Sequence, residues 1–267
     1  MKRTFAILLL VLASGVAVPG RAAARSQGRT AQNSTAPPSN LTLDQVLDKY
    51  VQALGGKAAI EKVTSRVMTG SIESPATGDT GSLVPGTIEV DAKAPNQRAV
   101  IIDFPGSDGD HHGFNGTSGW YVDPDDGPQD LPPDALGAVK LESEFYRDTR
   151  LRELFPKIAL KGTAKVNGQE AFVVEAPHAD GGIEKLYFDT HTGLMVRDEV
   201  PVDVPGEGRT TIVNDLSDYR DVDGIKLPFA IHQTSPDFEY IIKFKEIRQN
   251  VTMDDARFEK PKAGSSQ

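Results

Sequence analysis

The most constraining feature of this sequence is a period of two in its apolar residues, repeated through most of its length. Over 87–93, Ile88, Val90 and Ala92 alternate with Thr87, Glu89, Asp91 and Lys93. Over 97–104, Val100, Ile102 and Phe104 fall on one side and Ile101 on the other, and 119–122 carries the only tryptophan, Trp120. Successive side chains of a strand point to opposite faces, so this pattern specifies strands with one buried face and one wet face. The connections are short. Asn167-Gly168 separates 158–166 from 170–176, the strongest short hairpin signal. The turn 190–193 between 184–189 and 194–199 ends in Gly193, which can take the left-handed position. Asp223-Gly224 divides 209–219 from 228–234, and 238–248 follows. About ten strands joined in this way form an antiparallel meander, because parallel neighbours need crossovers of roughly a dozen residues or more.

Two regions depart from that period. Leu43, Val46, Leu47, Tyr50, Val51 and Leu54 follow the spacing of one helical face. Thr42 with Gln45 forms a capping box, Leu41 with Val46 a hydrophobic staple, and Gly55-Gly56 a stop. A short second helix is expected over 57–63. The stretch 131–158 reads as a helical insertion with Leu141, Phe145, Leu151, Leu154 and Phe155 as its apolar members, ended by Pro156. The fold class is therefore α+β: a large curved antiparallel β-sheet, an incomplete barrel, packed against an N-terminal helix and a central helical insertion. So large a twisted sheet curls, and its concavity can hold the helix face and an apolar cavity.

The 267 residues divide unevenly. Lys2 and Arg3, the apolar run 5–12 and Ala22-Ala23-Ala24 make 1–24 a signal peptide. The run is too short to span a bilayer comfortably, and no integral membrane span is expected after cleavage. Residues 25–40 contain no Val, Ile, Leu or aromatic residue and read as a flexible linker. A single domain is expected over 41–260, with a disordered tail at 261–267. The product would be periplasmic or secreted. The net charge is −9, and loss of Lys2, Arg3 and Arg21 takes it to −12 (−9 − 3). A chain so acidic, without a Lys/Arg run, has no general attraction for nucleic acid. The absence of cysteine excludes disulfides, thiolate metal sites, covalent haem and a cysteine nucleophile.

No catalytic constellation emerges. Gly116-Thr117-Ser118-Gly119 lacks the spacing of a nucleophile elbow and reads as a turn between strands. His111 and His112, with Asp108 and Asp110, form a His/Asp cluster in a Gly-rich loop, which reads as a solvated turn rather than a zinc site. Asp123, Asp125 and Asp126 with Gly127 only partly match a calcium loop and read as a hairpin tip. His178, His191 and His232 are dispersed, and Asp198 and Glu199 read as ordinary surface charges. No cofactor is expected. The residues assigned to the inner sheet face are Ile88, Val90, Val100, Ile102, Trp120, Phe172, Val174, Leu186, Phe188, Ile242 and Phe244. Most should fill the core. Those singled out as candidate lining of a ligand cavity are Val90, Val100, Ile102, Trp120, Phe172, Leu186, Phe188, Ile242 and Phe244.

Segments 47–63 (LDKYVQALGGKAAIEKV), 64–73 (TSRVMTGSIE), 113–122 (GFNGTSGWYV), 185–197 (KLYFDTHTGLMVR) and 218–228 (DYRDVDGIKLP) together carry a family resemblance. The chain resembles exported bacterial proteins of the acidobacteria type related to outer-membrane lipoprotein-sorting proteins, in the LolA/LolB-like superfamily. That resemblance implies an incomplete antiparallel barrel covered by helices, with an apolar cavity for acyl chains. It implies a noncatalytic periplasmic carrier or sensor whose partner is a lipid or a lipoprotein acyl chain. The alternatives are a structural or interaction module of an envelope assembly, and a secreted hydrolase or metal-dependent enzyme using the Asp108 to His112 loop. The superfamily's outer-membrane receptor is lipidated, whereas this chain has no cysteine to lipidate.

Overall fold

The computed structural model describes residues 41–75, 83–106, 109–204, 208–236 and 238–262. The expected leader and linker, Asp108 and the last five residues of the expected tail lie outside the described residues. The chain opens with α1 (Leu43–Leu54) and α2 (Lys57–Ile60), followed by β1 (Ser65–Pro75), β2 (Leu83–Lys93), β3 (Gln97–Asp103), β4 (Asp110–Phe114), β5 (Gly119–Asp123) and β6 (Gly127–Asp130). An insertion with α3 (Leu136–Glu142), a 3-10 turn (Arg147–Thr149) and α4 (Leu151–Leu154) leads to the second run of strands. These are β7 (Ala159–Val166), β8 (Gln169–Pro177), β9 (Ile183–Asp189), β10 (Met195–Val204), β11 (Gly208–Val222), β12 (Ile225–Thr234) and β13 (Glu239–Gln249), with a final 3-10 turn at Asp255–Phe258.

All thirteen described strands join one antiparallel sheet, ordered β6-β5-β4-β3-β2-β1-β13-β12-β11-β10-β9-β8-β7. Two meanders meet where the first strand pairs with the last, from Arg66 opposite Gln249 to Glu73 opposite Ile241. A bulge between Thr69 and Gly70 interrupts this seam. A Cβ on Gly70 would sit 2.2 Å from the Lys243 carbonyl oxygen, so only glycine fits there. The free edges are β6 and β7, and the insertion runs from one to the other.

The sheet wraps around α1. Val100 on β3 and Phe172 on β8 are eight strand positions apart, which would be about 38 Å in a flat sheet. Both nevertheless belong to one core with Val46, Leu47, Tyr50 and Leu54 of α1. The helix forms as its sequence requires: Thr42 accepts from the Gln45 backbone, and Gln45 answers by accepting from the Thr42 N–H at 2.8 Å. The turns also follow their residues. Asn167 and Gly168 have φ of 50° and 86°, and Gly193 has 78°, the left-handed values that hairpin turns demand.

Three strands lie outside the alternation pattern: β1, whose segment entered only through the family resemblance of 64–73, and two others. Residues 110–114, read as part of a loop, form β4, and Gly127–Asp130 forms the edge strand β6. Both are short, and β6 contains Pro128, which a sheet tolerates at its edge. The second helix stops at Ile60, and the insertion holds three short helical turns rather than a continuous helix.

Candidate functional site

The nine candidate lining residues are all buried. Val90, Val100, Ile102, Phe172, Leu186, Phe188, Ile242 and Phe244 share the inner face of the sheet and pack with α1 in one cluster. They belong to the packed core, and none of them lines the cavity described next. Trp120 does not join them. It pairs with Gly113, which pairs with Ala99, and this register puts it on the outer face. There it packs with Val67, Ala99, Met253 and Phe258, and its indole Nε1 donates to the Phe258 carbonyl at 2.8 Å. The C-terminal segment straps this face further through Arg257, which pairs with Glu89 and Asp91.

Among the described residues, one open space lies where the insertion meets the curled sheet. A half-open cavity of about 390 Å³ lies between the α3 segment, Arg98 of β3, and Glu184, Asp198, Val200 and Val202 of β9 and β10. Strands β3 and β9 are seven positions apart in the sheet, so curling and the insertion together make this site. One wall is apolar: Pro132, Ala135, Ala138 and Leu141 face Val200, Pro201 and Val202. Arg147 and His178 add to the polar lining, and Asp134, Asp180 and Asp203 are exposed around it.

The charged groups are held by identifiable bonds. Glu184 is 2% exposed and receives Arg147 Nη2 at 2.5 Å and His178 Nε2 at 3.1 Å. Burial alone would raise its pKa, but Arg147 and His178 hold it below the usual carboxylate value. Arg147 loses basicity to burial and regains more from Glu184. Asp198 has no cation of its own. Its Oδ1 receives Asn214 Nδ2 at 2.5 Å, and Gln233 Nε2 donates to Asn214 Oδ1 at 2.8 Å, which fixes the amide orientation. Burial, with the nearby negative Glu184, pushes the Asp198 carboxyl up to about 7. Glu142 at the end of α3 is also raised by burial, and Arg98 lies 3.6 Å away, beyond hydrogen-bond reach.

Solved structures share this architecture. A LolA superfamily protein from Nitrosomonas europaea superposes with a TM-score of 0.56 at 15% identity, over 82% of this chain and 98% of its own. A DUF1329 family protein from Desulfovibrio piger gives 0.55 at 12% identity, over 84% and 98%. A domain named for outer membrane lipoprotein sorting, from Vibrio parahaemolyticus, gives 0.52 at 11% identity, over 79% and 95%. The chain shares its fold with these proteins. No family model matches the sequence, and no curated protein matches it.

Within the sheet the other candidates fall apart. His111 pairs with Ile101 and faces outward to Asp103 at 2.8 Å, whereas His112 pairs with Val100 and faces inward to Asp110 at 3.2 Å. Adjacent strand residues point oppositely, so the two imidazoles do not converge. One Asp123 oxygen receives the backbone N–H groups of Asp125 and Asp126, as a hairpin tip requires. Asn115 closes the Thr117–Ser118 turn in the same way. The sequence reading missed the charged cavity, having placed Asp198 on the surface. A signal was present: Arg98, Glu184 and Asp198 share the parity of Val100, Leu186 and Val200 in their own strands.

Proposed function

We propose that the protein is an exported, noncatalytic carrier or sensor that works in the periplasm and holds the apolar part of a lipid or lipoprotein acyl chain beneath the α3 segment. The observation that carries this reading is the cavity of about 390 Å³, with an apolar wall made jointly by the insertion and β10. Its size is within the range of small-molecule sites. The shared fold with a lipoprotein-sorting domain supports it, and the leader read in 1–24 supports export. Burying an acyl chain contributes about 0.8 kcal/mol per CH₂. The packed inner face serves as the floor of the site, so the chain lies along its mouth and not at its centre.

The insertion suits a lid. No residue of α3 is fully buried, so little apolar area holds it down. The segment after it is anchored: Phe145 N–H donates to the Pro95 carbonyl, Tyr146 OH to the Val63 carbonyl, and Leu151 and Phe155 enter the core. The α3 turn can therefore part from β10 while 145–155 stays docked. An interaction module would share the packed interior, and the cavity under α3 is what favours the carrier.

Titration with an uncharged apolar fluorophore such as N-phenyl-1-naphthylamine tests this reading. Wild type should bind it saturably with enhanced emission, and Ala138→Trp and Val200→Trp, which fill the cavity, should abolish the enhancement at unchanged melting temperature. No saturable binding by wild type, or equal binding by the filled variants, would reject the cavity as the ligand site.

A further inference from the structure

No residue of α3 is fully buried, and its tie to the sheet is polar. Among the described residues one ion pair makes that tie: Glu142, the last residue of α3, stands 3.6 Å from Arg98 Nη2 on β3. His112 on β4 pairs with Val100, and Arg98, two residues before Val100, has the same inward parity. The cluster is under-bonded. Glu142 Oε1, His112 Nε2, Arg98 Nε and Asp110 Oδ2 are all shielded from solvent and have no hydrogen-bond partner. The charges that face His112 are Asp110, Glu142 and Arg98. Those that face Glu142 are Arg98, His112, Arg147 and Asp110.

The bonded nitrogen of His112 decides what the orphaned one can do. Nδ1 lies 3.2 Å from Asp110 Oδ1. An ionised carboxylate only accepts, so in neutral His112 the hydrogen sits on Nδ1 and Nε2 is an acceptor. Such an Nε2 has nothing to offer Glu142, which also accepts. Protonation turns Nε2 into a donor. We propose that α3 is a pH-sensitive lid: a proton on His112 lets Nε2 bond the Glu142 carboxylate and hold α3 to the sheet, and loss of that proton frees it. This rests on the reading of α3 as the lid of the acyl-chain site and adds what controls it. Glu142 lies just before the anchor at Phe145, so a contact there sets where the whole turn stands. Burial opposes a charge on His112, but Asp110 and Glu142 outweigh it against Arg98, and its pKa stands above the ordinary value. Burial raises Glu142 as well, against Arg98, His112 and Arg147. A parted α3 returns Glu142 to solvent and takes it from His112, so docking takes up protons. The lid is therefore held below the ordinary histidine value of about 6.5 and released as pH rises through the folded value of His112.

The test is hydrogen–deuterium exchange of the amides in 136–143 at pH 6 and pH 8.5, corrected for the intrinsic pH dependence of exchange. Release of N-phenyl-1-naphthylamine is followed by stopped flow under the same conditions. Wild type should lose about tenfold in protection across 136–143 between the two pH values, the ratio of one proton-linked contact of modest strength, while 145–155 keeps its own. Fluorophore release should quicken in step. Asp198 across the cavity titrates in the same range, and His112→Gln leaves it intact. That variant, and Glu142→Gln from the other side of the contact, should hold their protection within about twofold between the two pH values, because a glutamine at either position does not titrate. Circular dichroism and melting temperature verify that both variants fold. Equal wild-type protection at the two pH values, or a pH dependence that His112→Gln retains, would overturn the switch while leaving the acyl-chain site standing. Switching exchange in a wild type that binds no fluorophore would instead remove that site and support the latch alone.

Discussion

Glu184→Gln should be among the costliest conservative substitutions in this chain. The carboxylate is 2% exposed and accepts from both Arg147 and His178. Glutamine keeps the volume and one acceptor oxygen but removes the charge that the buried guanidinium needs. Breaking a buried ion pair costs about 3–5 kcal/mol. The Arg147 side chain retains 21% exposure, and Asp198 and Asp148 still attract it, which places the loss near the lower end, at about 2–3 kcal/mol. For a chain of this length each kcal/mol moves the melting temperature by about 2–4 °C, so calorimetry at pH 7 should show a drop of about 4–12 °C. The matched control is Glu175→Gln, whose partner Lys161 is half exposed; that pair should be worth less than about 1 kcal/mol. The pH dependence fixes the cause. Glu184 is depressed in the folded protein, so its stabilisation is present above the unfolded value of about 4.3 and is lost as pH falls through the folded value. Wild type and variant should therefore converge in strong acid. A loss under about 1 kcal/mol at pH 7, or a gap that persists unchanged in strong acid, would refute the reasoning.

Three further outcomes follow from the same geometry. Asp198 is raised, so the native state keeps its proton while the unfolded state has released it, and stability falls as pH rises from about 3.9 to about 7. Asp198→Asn should accordingly melt higher than wild type at pH 8, on the order of 2 kcal/mol, and show no advantage at pH 3, as read by thermal denaturation across that range. Trp120→Phe leaves the Phe258 carbonyl without its donor and should cost about 1–2 kcal/mol in denaturant melts, with ligand affinity unchanged because the indole is on the outer face. For the same reason the emission of this single tryptophan should not shift on ligand saturation, and a shift would contradict the placement of the site. Thr42→Ala removes the α1 capping box and should cost about 1 kcal/mol by the same melts.

Local chemistry made much of the fold legible. The hairpins in 159–189 are set by local turns: Asn167-Gly168 places Val166 opposite Gln169, and the 178–182 connection sets the β8–β9 register that puts Phe172 and Leu186 on one face. The pairing of β1 with β13 was not legible, because nothing local to Arg66 points to Gln249. That seam determines how far the sheet wraps, and hence that Arg98 and Asp198 meet across the mouth. Trp120 was misplaced for a related reason. Its face depends on register through Gly113 to Ala99, and β4 was hidden in a glycine-rich stretch. The site was overlooked because apolar parity was followed and its exceptions were not. Glu184 sits in the inward register of Leu186 and Phe188, where a carboxylate needs a reason to be.

Native mass spectrometry of protein purified from its own host, with gentle release of whatever it carries, tests the central claim most directly. The account predicts a stoichiometric adduct in the mass range of a lipid that is lost from Ala138→Trp and Val200→Trp. Bare protein mass in repeated preparations, or an adduct that both filled variants retain, would contradict it.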